Sequence, residues 1–162
     1  PAPILASIAA ARNLQLTSDG IIVTGTPVGC DIYEAATVGQ VVDDAISSLN
    51  QLETAALHLA LPTGMPKVQG VFNCIRRCIP SKLNYLLRSV DPRLTAAPAV
   101  RLDTAIYSTL IRVMRLSEHD ASLTDPSTYA GGLLAHRIFL SFEHGGLGLT
   151  SSLSIRNAAY VG

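Results

Sequence analysis

Apolar residues recur at three- and four-residue steps over most of the chain, which is the period of an α-helix with one buried face. The longest run covers about residues 33–61, with Val38, Val41, Val42, Ala45, Leu49, Leu52, Ala56 and Leu59 in phase, and Pro62, Gly64 and Pro66 end it. A second helix is expected over about residues 67–78, and Pro80 opens a third that reaches about Val90. Asp91-Pro92 breaks the pattern. Pro98 precedes a fourth helix with Val100, Leu102, Ile106, Leu110, Val113 and Met114 on its apolar side. The polar residues 117–125 read as a loop and residues 127–139 as a fifth helix. Ser151 or Ser152 caps a last helix that reaches Tyr160.

Two segments break this helical period. Gly20-Ile-Ile-Val-Thr-Gly is a short β-rich run after the turn Ser18-Asp19-Gly20, and it predicts a strand followed by a turn at Thr26-Pro27-Val28-Gly29. His144-Gly-Gly-Leu-Gly-Leu149 is too rich in glycine to be helical. Residues 3–12 read as a short helix stopped near Asn13. The expected fold is mainly α: a bundle of about five to six helices with one short N-terminal β-strand or hairpin. The expected division is residues 1–32, 33–140 and 141–162, with the helical bundle in the middle.

Composition restricts the core. With 162 residues, 48% hydrophobic content, no Trp and 5% aromatics, the interior has to be built from Leu, Ile, Val and Ala. No apolar run reaches the roughly 18 residues of a membrane helix, so no membrane partner is expected. The opening apolar stretch lacks a basic n-region and is not read as a signal peptide. A chain starting on Pro and ending on Tyr-Val-Gly is expected to be part of a longer one. Cys30, Cys74 and Cys78 are an odd count, which argues for a reducing intracellular compartment, nucleus or cytoplasm, and they read as buried thiols.

Net charge is zero, but it is unevenly spread. Residues 1–66 carry −5, residues 67–116 carry +7 and residues 117–162 carry −2. The basic set is Lys67, Arg76, Arg77, Lys82, Arg88, Arg93, Arg101, Arg112 and Arg115. A basic segment of this kind suits a polyanion, and it equally suits a solvated face paired with the acidic flanks. Tyr85 could stack on a base, but within Leu-Asn-Tyr-Leu-Leu it reads as core.

Catalytic chemistry is weakly represented. Val41-Val42-Asp43-Asp44 resembles a two-metal aspartate pair in composition only, because adjacent helical positions diverge by about 100°; it reads as a solvent-facing acidic pair. Gly25-Thr-Pro-Val-Gly29 lacks the Lys-Ser/Thr of a phosphate loop. There is no Gly-x-Ser-x-Gly and no His-Glu-x-x-His. No catalytic residue, metal ligand or cofactor site is assigned to this chain.

Four segments, in order, resemble the part of a non-LTR retrotransposon reverse transcriptase that follows its catalytic palm motif. Gly20-Ile-Ile-Val-Thr-Gly-Thr-Pro-Val-Gly29 is similar to that family's "G-apolar-apolar-x-L-G-x-P-I-G", with Thr24 where Leu is commoner. Residues 69–88, QGVFNCIRRCIPSKLNYLLR, match its "Q…LLR.C..P.L.YLLR" helices. Leu102-Asp103 matches an Asp opening the next apolar helix, and Gly145-Gly-Leu-Gly-Leu-Thr-Ser151 with Ala158-Ala-Tyr-Val-Gly162 matches "P…GGLGL.S….A.Y.GS". The family's Leu-Pro before the glycines is replaced by Leu140-Ser-Phe-Glu-His144.

The resemblance implies the end of a palm-like segment at residues 1–32, a helical thumb at 33–140 and the start of a connector at 141–162. It implies backbone contacts to an RNA–DNA or RNA duplex by Lys67, Arg76, Arg77, Lys82, Arg88 and Arg93, and a primer-grip-like element at Gly25, Thr26, Pro27 and Gly29. The catalytic aspartates and their Mg2+ would lie in the palm, outside this chain, which would not polymerise alone. The alternative is a retroelement-derived remnant that serves as a structural or protein-binding subunit of a larger assembly.

Overall fold

The computed structural model describes residues 19–58 and 68–161. The short helix expected at residues 3–12, Leu59, the proline-rich end of the first long helix and Lys67 lie outside the described residues. The described residues contain five α-helices, one two-stranded hairpin and three short 3-10 turns; the main elements are β1 (Gly20–Val23), β2 (Thr26–Gly29), α1 (Asp31–His58), α2 (Val68–Ser89), α3 (Pro92–Val113), α4 (Tyr129–Phe139) and α5 (Ser152–Val161). The fold is mainly α with one small hairpin.

β1 and β2 pair antiparallel, with Val23 opposite Thr26 and Gly20 opposite Gly29. The strand expected at Gly20 is present, but the turn starts two residues earlier than the sequence suggests. Thr24 and Gly25 form it, both with positive φ (51° and 89°), the left-handed pair that a two-residue hairpin requires. Thr26–Gly29 is therefore a strand. Pro27 is tolerated there because alternation from the closing pair puts it, opposite Ile22, at a non-hydrogen-bonded position.

α1 begins with Asp31 and Glu34 in its first turn, where acidic side chains suit the exposed N–H groups. Its inward stripe is Val38, Val42, Ala45, Leu49 and Ala56, all buried; Val41 and Leu52 are half-buried at the flanks. α2 presents Val71, Ile75, Ile79, Leu83, Leu86 and Leu87 to the same core. Each fully buried Leu or Ile contributes about 1.5–3 kcal/mol.

Two prolines expected to delimit helices lie inside them. Pro80 is within α2 and buried, so the two helices expected over 67–90 are one. The ring forgoes one bond to the Arg76 carbonyl, and burial of the residues around it offsets that loss. In α3 the start is Pro92 at the first helical position, with the Asp91 side chain accepting from the Arg93 N–H at 2.7 Å. Pro98 is internal to α3. Within α3, Ala99, Leu102, Ile106, Leu110, Ile111 and Val113 are buried, whereas Val100 is exposed, contrary to its expected place on the apolar side.

The core lies among α1, α2 and α3. α1 packs on both α2 and α3, and α5 closes against α2 and α3 from the other side. The segment read as a loop over residues 117–125 overlaps two short 3-10 turns, Leu116–Glu118 and Ala121–Thr124. They are held by buried Tyr107, whose hydroxyl donates to the carbonyls of Leu123 and Gly131. α4 is capped by Thr128, whose Oγ1 accepts from the Gly131 N–H at 3.0 Å. No helix among the described residues is long and apolar enough to cross a membrane.

Candidate nucleic-acid interface

The basic segment maps onto α2, the link to α3, and α3 itself, and its cations divide into three groups. Arg77 and Arg88 are exposed on the outward face of α2, three helical turns apart, which is about 16 Å along the axis. Neither makes a hydrogen bond or ion pair among the described residues. The helix runs unbroken through Pro80, so the two guanidinium groups share one face.

Arg76 and Lys82 flank that face and are tied to neutral partners. Arg76 Nε donates to the Gly148 carbonyl at 3.3 Å, and its guanidinium lies 4.5 Å from the centroid of the Phe142 ring. Lys82 Nζ donates to Ser48 Oγ on α1 at 2.7 Å. The third group is neutralised within the chain. Arg93 meets the Asp91 carboxylate at 2.7 Å in a solvent-exposed pair. Arg112 holds Glu53 with two bonds of 2.6 and 2.7 Å, and Arg101 pairs with Asp43. These last two pairs join α3 to α1. Arg115 lies 3.9 Å from Glu118.

Tyr85 stands between Arg77 and Arg88 along α2. It is 48% exposed rather than in the core, because helical phase puts it with Ser81 and Arg88. Thr26 Oγ1 donates to the Tyr85 hydroxyl at 3.0 Å, and hydrogen bonds from Thr26 and Thr24 hold the phenol below its ordinary range. Gly25 lies beside the same ring, where an added Cβ would sit 3.6 Å from it. The hairpin tip and the basic face of α2 are thus one surface. Pro27 is buried beneath it, and Gly29 lies at the far end of β2 against the Asp19 backbone. Of the ten residues expected to contact nucleic acid or form the primer-grip-like element, Gly25 and Thr26 meet α2 at Tyr85, one turn from Arg88, and Arg77 lies about 12 Å from Tyr85 along the same helix. Arg76 and Lys82 border them, Arg93 is held by Asp91, and Lys67 is outside the described residues.

The cysteines also differ from expectation. Cys30, Cys74 and Cys78 are all exposed thiols. Cys74 and Cys78 precede Ser81 and Tyr85 on the outward phase of α2, which is why they escape the core. Asp43 and Asp44 are exposed on α1, with Asp43 engaged by Arg101. No group of three or more His, Cys, Asp or Glu is placed to share a metal ion among the described residues.

The Gly-rich element is a helix stop. The N–H groups of Leu147 and Leu149 donate to the carbonyls of Arg137 (2.9 Å) and Ile138 (3.3 Å), and that of Gly148 to Leu140 (2.8 Å), so the segment satisfies the open end of α4. Gly148 has φ 67°, and a Cβ there would come within 2.7 Å of the Phe142 ring; at Gly146 one would lie 2.1 Å from the Leu140 carbonyl oxygen.

Asp103, expected to open a helix, lies in the middle of α3 instead, and its role there is not indicated by the sequence match. It is buried, and its carboxylate accepts from Ser151 Oγ (2.6 Å), the Ser152 N–H (2.9 Å) and the Leu153 N–H (3.1 Å). Ser151 Oγ in turn accepts from the Ser154 N–H at 3.1 Å, as expected of the capping residue. Burial raises the Asp103 carboxyl above the usual carboxylate range, opposed by these three donors. A signal existed in the sequence: Asp103 is in phase with Ala99, Tyr107 and Leu110, all buried.

The chain matches no protein-family model, no curated protein and no solved structure.

Proposed function

We propose that this chain is the nucleic-acid-clamping, thumb-like part of an RNA-directed DNA polymerase of a retroelement. In this reading the outward face of α2, with the hairpin tip beside it, lies along the phosphate backbone of an RNA–DNA or RNA duplex. The observation that carries it is Arg77 and Arg88: two exposed guanidinium groups without partners among the described residues, on one unbroken helix face, with Tyr85 and Thr26 between and beside them. Guanidinium groups contact phosphate with two-point geometry, and such contacts are sequence-tolerant and weaken with salt. The chain holds the duplex; the carboxylates and Mg2+ of bond formation belong to a palm outside it.

Binding of an RNA–DNA hybrid, titrated from about 50 mM salt upward, tests this. Affinity should fall as salt rises, with a slope of only a few charges, and Arg77→Ala and Arg88→Ala should each reduce the slope of log K against log salt by about one. Arg101→Ala, which removes a cation already held by Asp43, should change the slope little. Absence of binding at the lowest salt would sink the clamp.

A second reading, a remnant acting as a structural or protein-binding subunit, is favoured by a different observation. Ile21, Ile22, Val23 and Val28 on the hairpin are all exposed, and four of the arginines are neutralised within the chain. Failure of hybrid binding by a well-folded chain would favour it.

A further inference from the structure

We propose that the depression between the Gly-rich element and α5 receives one unpaired nucleotide of a strand whose duplex part lies on α2, an inference that rests on the nucleic-acid reading above. The depression has a volume of about 350 Å³ and is lined by Arg76, Phe139, Phe142, Ser151, Ser154 and Ile155, among others. Phe142 is 54% exposed, with its ring against Gly148, where an added Cβ would lie 2.7 Å from it. An exposed Phe alone means little. Here it is stacked with the guanidinium of Arg76, at 4.5 Å. Only Nε of that group is committed, to the Gly148 carbonyl, and no carboxylate pairs with it among the described residues.

A flat aromatic surface beside an uncompensated guanidinium recognises a ligand with a π-face and an anion a short distance apart, and a nucleotide has both. The base stacks on Phe142 in the manner of single-strand binding surfaces, and the Nη groups of Arg76 take a phosphate. The nearest buried carboxylate, Asp103, is turned toward its three donors at the start of α5. Position supplies the link to α2. Arg76 and Arg77 are consecutive and diverge by about 100° around the helix, so a strand leaving Arg77 reaches the depression by passing little more than a quarter of the way round α2.

The test compares three probes on the same chain: a blunt RNA–DNA hybrid, the same hybrid with a short single-stranded overhang carrying 2-aminopurine, and a free nucleoside monophosphate. The overhang should tighten binding about ten-fold and quench the 2-aminopurine. Phe142→Ala should erase that gain and leave blunt-hybrid affinity unchanged. Phe142→Leu, which keeps apolar packing against Gly148, should erase it too, and Phe142→Trp should retain it. Equal affinity for blunt and overhung hybrids would overturn this proposal while leaving the role of α2 standing. A gain that survives both Phe142→Ala and Phe142→Leu would also overturn it. Free monophosphate competing as well as the overhung hybrid would assign the depression to a free nucleotide instead. Binding of neither hybrid would overturn both readings, and binding of the overhung hybrid alone would overturn the duplex role of α2 and with it this proposal as stated.

Discussion

Asp103 is one carboxylate that joins two helices distant in sequence. Replacing it with Asn leaves an amide donor facing either the Ser152 N–H or, with the amide turned over, the Leu153 N–H and the Ser151 hydroxyl, so D103N should cost about 2–3 kcal/mol in chemical denaturation. Its pH dependence has a definite sign. Because burial raises the carboxyl in the folded chain, the folded form takes up a proton at a higher pH than the unfolded form, whose value is about 3.9. Stability from this group therefore rises as pH falls through that window. Asp91, Asp120 and Asp125 are shifted down by hydrogen bonds and act in the opposite sense, but they are common to both proteins. The deficit of D103N should widen between neutral pH and about pH 4, measured as the difference in urea midpoints. A deficit that narrows would contradict the raised carboxyl. At this scale the sequence was partly legible: the capping serine was visible, and Asp103 was overlooked because an acid on an apolar face was read as motif rather than as a cap.

Among elements, tertiary contacts and helical phase override what single residue types suggest. Pro80 and Pro98 read as punctuation, yet each sits inside a helix where neighbouring contacts outweigh one lost hydrogen bond, and Pro27, read as part of a turn, sits in a strand at a position that forgoes none. Cys74, Cys78 and Tyr85 were assigned to the core by residue type, although the phase of α2 puts them on the outward face with Ser81 and Arg88. The helix stripes themselves were legible, since Val38, Val42, Ala45, Leu49, Leu102, Ile106 and Leu110 are all buried. Two predictions belong here. Gly148→Ala adds a Cβ at positive φ against Phe142 and should destabilise by about 1–3 kcal/mol, seen as a lowered Tm. A double-mutant cycle on Arg112 and Glu53 should give a coupling of about 1 kcal/mol or less, because Arg112 is 50% exposed.

For the whole molecule, the mainly helical fold was legible because its core is a set of aliphatic stripes and needs little else. The division of the basic residues was not. Charge counting gave +7 for residues 67–116, but it does not show that α1 supplies Asp43 and Glu53 to two of those arginines across the α1–α3 seam. What is left for a polyanion is a narrow stripe on α2 rather than a broad basic field, so binding of a hybrid should involve few phosphates and a shallow salt slope of only a few charges.

The Asp103 cap has a kinetic consequence. The first amides of a helix ordinarily exchange their hydrogens with solvent quickly, since they have no partner in the preceding turn. Those of Ser152 and Leu153 are bonded to a carboxylate anchored in α3, and Ser152 is fully buried. Their exchange should therefore require the opening of α5 from α3, and run as slowly as that of the central α3 amides in hydrogen-exchange NMR. In D103N they should exchange at rates typical of a frayed helix end. The C-terminal helix would then be among the last parts of the fold to open, not the first.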